Sequence, residues 1–112
     1  MVVNGFENLE VARGFWKRFR GLMGKTYIPV EYALAFPQCS SIHTCFMRIP
    51  IDVIYLNVRG ECIGVETLEP WRLGHAPEGT ETVVECAAGT CDSKGIGVGW
   101  SIGKTLVELV YS

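Results

Sequence analysis

The stretch Ser41–Asn57, SIHTCFMRIPIDVIYLN, decides how the rest of the chain is read. It is the densest apolar run in the sequence, and it carries three out-of-place polar residues, His43, Arg48 and Asp52. Runs of Ile, Val, Phe and Tyr over strand-like lengths read as buried strands. Pro50 has no N–H for a sheet ladder and pushes Ile49 toward extended backbone, so it belongs at the start of a strand. Two extended pieces are therefore expected, Ile42–Met47 and Ile51–Asn57, bent at Arg48-Ile49-Pro50.

Downstream, Val58-Arg59-Gly60 reads as a tight turn, and Glu61–Leu68 as the returning strand of an antiparallel hairpin. Pro70–Thr80, PWRLGHAPEGT, is the longest turn-rich segment and reads as an exposed loop; such loops often carry function. Thr82–Ala87 is a further strand. In Gly89–Gly95 a one-turn helix is expected, capped by Thr90 and closed by Gly95. The spacing places a last strand at Thr105–Tyr111.

Upstream, Leu9–Ala12 and Tyr32–Phe36 read as short strands. Between them Phe15, Trp16, Phe19, Leu22 and Met23 recur at helical spacing, predicting an amphipathic helix stopped by Gly24. Lys17, Arg18 and Arg20 would lie on its solvated side. Together these elements predict a mainly β fold with a minor α component. It would be a small antiparallel β-sandwich or partly open barrel, with one amphipathic helix and one short helical turn.

With 112 residues the chain makes one domain, residues 1–112. Its 48% hydrophobic and 20% charged residues are those of an ordinary globular protein. A net charge of −2 argues against general nucleic-acid binding, which leaves a basic footprint. No apolar run is long enough for a membrane-inserted helix. MVVNGFENLE lacks the basic start and apolar core of a secretory signal, and the five cysteines are odd in number and irregularly spaced. A cytoplasmic location is the expectation.

Three segments carry a family resemblance. Arg18-Phe19-Arg20-Gly21-Leu22-Met23 looks like an R-x-R-G-L-M block. Ile42-His43-Thr44 with Phe46–Val53 resembles an I-H-T…M-R-x-P-I-D-V motif. Glu85–Thr90 with Gly95–Gly99 resembles an E-x-x-A-G-T…G-L-x-x-G-D ending. In this order they resemble the domain of unknown function 192 family, over roughly residues 9 to 106. Cys45 stands where a bulky residue is common, and Trp100 where the family usually has Asp. The resemblance implies a small β-rich domain and no established reaction.

The candidate site is the set of polar residues in apolar surroundings: His43, Arg48, Asp52 and Glu85, with Arg18 from the helix. A buried carboxylate needs partners. One reading makes Arg48–Asp52 and Arg18–Glu85 structural ion pairs. The other makes the five residues a ligand-binding pocket for an unknown small molecule or protein. A non-enzymatic binding or accessory module is the leading functional reading. The alternative is a small hydrolase-like or metal-assisted enzyme using His43, Asp52 and Glu85.

Metal binding has one weak pattern, Cys39, His43 and Cys45 with Cys86 or Cys91, but no paired zinc knuckle, and no metal or cofactor is assigned. Cys91, in the first turn of the short helix, could be a reactive thiol with Cys86 as its partner. His75 reads as a loop histidine, and Trp71 and Arg72 as loop packing rather than a stacking platform. No nucleophile elbow, phosphate loop or dinucleotide fingerprint occurs.

Overall fold

Ile51–Leu56 forms strand β3, and all six of its residues are buried. That burial on both sides explains why the stretch is continuously apolar rather than alternating. In the computed structural model, which describes residues 1–111 other than the side chain of Phe15, β3 lies within one open five-stranded sheet. The elements in chain order are β1 (Asn8–Val11), α1 (Gly14–Arg20), β2 (Tyr32–Pro37), β3, β4 (Cys62–Leu68), β5 (Thr82–Ala87), α2 (Thr90–Lys94) and α3 (Leu106–Val110). The strand order is β1-β2-β5-β3-β4. β1 runs parallel to β2; every other neighbouring pair is antiparallel. The fold is mainly β, as the sequence predicts.

Strand alternation sorts the core into two layers. On one face Ala33, Ala35, Ile54, Leu56, Val84 and Cys86 pack with Phe6, Ile96, Ile102 and Leu109. On the other, Leu34, Phe36, Ile51, Val53, Tyr55 and Val83 pack under Leu22, Ile28 and Met47. β5 is inserted between β2 and β3, with Glu85 opposite both Leu34 and Val53. The β3–β4 hairpin turns where expected. Asn57 Oδ1 accepts the N–H groups of Arg59 and Glu61, each at 3.0 Å. Gly60 has φ 79°, and a Cβ there would lie 1.8 Å from the Lys104 carbonyl oxygen, so the turn needs glycine.

Three expectations are corrected. Ile42–Met47 is not a strand: it has a single bridge, His43 to Leu73, and Phe46 has φ 64°. The cause is Thr44, whose Oγ1 donates to the Glu69 carbonyl at 2.6 Å and accepts the Arg72 N–H at 2.7 Å. That side chain ties the segment to the 69–72 loop instead of leaving it to a ladder. The strand expected at Thr105–Tyr111 is instead the helix α3, Leu106–Val110. Thr105 and Glu108 form a reciprocal capping box, and Leu109 is buried.

The predicted apolar face of α1 is also not a buried one. Trp16 is 76% and Phe19 58% exposed, while Leu22 is buried. Gly21 (φ 50°) ends the helix before the expected Gly24, so Leu22 and Met23 leave the helical face that their spacing presumed. The Phe15 side chain lies outside the described residues. No helix among the described residues is long and apolar enough to cross a membrane.

Candidate functional site

Glu85 sits in the central strand with its side chain among Leu34, Val53 and Phe36, and it is only 3% exposed. Its Oε1 has no hydrogen-bond partner among the described residues. Burial penalises the charged form, and the carboxyl is pushed up to about 8. Near neutral pH it is therefore mostly the uncharged acid.

Above this carboxyl lies a cleft of about 220 Å³. Its walls include Leu22, Phe36, Ile42 and Met47, and its polar rim is Arg18, Arg20, Ser41 and His43. Gly21 carries the chain closely over the floor. A Cβ there would stand 3.2 Å from Phe36 Cζ and 3.5 Å from Glu85 Oε1. Arg18 is anchored by an Nη1 donation to the Pro37 carbonyl at 2.8 Å. His43 is exposed, and its Nδ1 accepts the Cys45 N–H at 3.2 Å.

Of the five residues that the sequence singles out, Arg18, His43 and Glu85 meet around this cleft. Asp52 does not. It lies on the opposite sheet face, where Oδ1 accepts from Thr67 Oγ1 at 2.7 Å and Oδ2 from the Cys91 N–H at 2.9 Å. Arg48 is exposed and does not line this cleft. Neither expected ion pair, Arg48–Asp52 nor Arg18–Glu85, is present among the described residues. Asp52 is satisfied by a hydroxyl and a helix N–H, and Arg18 gives one N–H to a carbonyl. The placement also means that His43, Asp52 and Glu85 do not converge on one reacting bond.

Arg20, Gly21, Phe36 and Met47 line the cleft without having been singled out for it. Arg20 and Gly21 fall inside the R-F-R-G-L-M block, which was the available signal. Phe36 and Met47 looked like ordinary core residues.

The sulfur chemistry is divided by the sheet as well. Cys39 lies at the cleft, whereas Cys86 and Cys91 belong to the opposite core layer. Among the described residues no three His, Cys, Asp or Glu side chains gather to hold a metal ion. All five cysteines are free thiols. The hydrogen bond with the Cys91 thiol, with burial behind it, pushes the Cys86 thiol well above the usual range. α2 takes Gly89 as its N-cap rather than Thr90, and the N–H of Cys91 is taken by Asp52 instead.

In the long loop, Trp71 packs on Phe46 with ring centroids 4.7 Å apart, as loop packing. His75 has a partner in Glu66, 3.3 Å from its Nδ1.

Residues 3–103 match the domain of unknown function 192 family, described as "Uncharacterized ACR". The chain is 37% identical over 90 residues to a UPF0127 protein of Thermococcus sibiricus, covering 75% of this chain and 57% of that one. The match thus spans little more than half the length of that relative. It is 33% identical over 95 residues to a UPF0127 protein of Pyrococcus furiosus, covering 79% and 78%. A crystal structure of a Novosphingobium aromaticivorans protein of unknown function superposes with a TM-score of 0.72 at 23% identity, covering 84% of this chain and 71% of that one. That likeness shows the fold. The order of motifs, the extent of the match and the shared architecture agree: the chain belongs to the domain of unknown function 192 family.

Proposed function

We propose that this chain is a non-enzymatic binding module whose pocket is the cleft over Glu85, with Arg18, His43 and Glu85 as its polar contacts. One observation carries the reading: a carboxyl buried at the floor of a cleft with an oxygen that has no hydrogen-bond partner among the described residues. An unmet buried polar group costs stability, and such groups concentrate where a ligand completes the hydrogen bonding. The cleft volume of about 220 Å³ falls below the ~300–1,000 Å³ of drug-sized pockets, which suits a small molecule. Five unbonded thiols support a reducing, cytoplasmic setting for this one domain.

The test plugs the cleft. Ser41 is exposed at its rim, so Ser41→Trp fills the mouth without entering the core. A library of small metabolite-like compounds is screened by ligand-observed NMR against both proteins. Compounds that bind the parent chain and not the plugged variant, at unchanged circular dichroism, support the reading. Absence of binders, or binders indifferent to the plug, overturns it.

A further inference from the structure

The charge around the cleft is lopsided. Its basic side chains are Arg18, Arg20 and His43, and its single acid is Glu85. The acid is withdrawn into the apolar floor beside Phe36, so the mouth presents positive potential to solvent. Arg18 is held in place by the Pro37 carbonyl at 2.8 Å, which uses one of the five N–H groups of a guanidinium.

A cation entering the cleft passes two arginines before it reaches Glu85. An anion is drawn to those arginines, whose planar forks suit carboxylate and phosphate oxygens. Behind the head group the ligand meets apolar walls at Phe36 and Met47 and the unsatisfied Glu85 oxygen. Resting on the binding reading above, we infer that the ligand is a small organic anion with a short apolar body. Its anionic head group lies on Arg18 and Arg20, and an adjacent hydroxyl or carbonyl oxygen hydrogen-bonds Glu85.

Matched probes test this directly. They are short-chain 2-hydroxy and 2-oxo acids such as 2-hydroxy-4-methylpentanoate, their primary amides, the corresponding 2-amino acids such as leucine, plain carboxylic acids, and alkyl phosphates of similar length. Each is titrated into the 15N-labelled chain to concentrations on the order of tens of millimolar, reading the amides of Gly21, Ile42 and His43. The hydroxy or oxo acids, or the phosphates, are expected to shift these amides, and the amides of the same acids to bind at least about tenfold more weakly. The paired change Arg18→Gln and Arg20→Gln reduces anion binding about tenfold or more. Glu85→Leu removes the preference for hydroxy over plain acids while leaving the spectrum folded. The carboxylate and phosphate arms identify the head group.

If neutral amides or amino acids bind as well as the anions, or if no anion moves the cleft amides, the anion assignment falls. In the first case the binding reading stands. Only if every probe class leaves the cleft unmoved, and the plug variant also shows no difference, do both fall together.

Discussion

Asp52 Oδ2 on β3 accepts the backbone N–H of Cys91 at 2.9 Å, so a carboxyl in the sheet holds the first turn of α2. Its Oδ1 takes the Thr67 hydroxyl at 2.7 Å, linking β3 to β4 as well. A polar residue that looks like site machinery in the sequence is thereby a three-way structural tie.

Asp52→Ala leaves the Cys91 N–H without that acceptor beneath the helix. The expected loss is about 2–3 kcal/mol of unfolding free energy, read by urea denaturation. Binding at the cleft over Glu85, on the other face of the sheet, is expected to survive. A loss under about 0.5 kcal/mol would show that the tie contributes little.

Glu85 gives a pH signature. Burial raises its carboxyl from the ordinary 4.5, pushed up to about 8 in the folded chain. The folded state therefore holds the proton more tightly than the unfolded state. This group's favourable contribution is complete below pH ~4.5 and is lost progressively as pH rises to about 8. Glu85→Gln lacks this component. The stability of the parent chain relative to the variant is expected to fall by about 1 kcal/mol per pH unit within that window and to level off above it. Denaturation midpoints across the window check this; a flat difference would mean that the carboxyl stays hydrated.

The thiols differ in access. Burial pushes Cys62 above its usual range, and the Cys91 hydrogen bond together with burial does the same for Cys86. Brief iodoacetamide treatment of the folded chain is expected to label Cys39 and Cys45, which are partly exposed, and to spare Cys62 and Cys86 until denaturant is added. Peptide mass spectrometry reads the order. Labelling of Cys86 at the rate of Cys45 would overturn the closed packing of that sheet face.

The legible parts of the fold are those where local pattern and burial coincide. β2, β3 and β5 are nearly unbroken buried runs, and β4 is a strand-length segment that returns from a plain turn. Ile42–Met47 reads as a similar run, but one hydroxyl, that of Thr44, diverts it into a loop clamp. For Leu106–Val110 the Thr105-x-x-Glu108 cap was present in the sequence; a short Leu and Val run at the end of a β-rich chain obscured it. The spacing located α1, but which side of a helix is covered depends on distant segments. Grouping the site was limited by register. Asp52 pairs with Cys86, and Glu85 with Val53, and that one-residue offset puts the two carboxyls on opposite faces.

The strand order carries a consequence for how the chain assembles. β5 is the last strand in sequence, yet it is the seam between β1-β2 and β3-β4. Without β5 each of those ribbons has an inner edge whose backbone groups lack a mate. β5 pairs with both β2 and β3, and that double pairing also fixes the position of Glu85. Both core layers and the floor of the cleft thus depend on one strand, and a chain without Thr82–Ala87 has nothing to join β2 to β3.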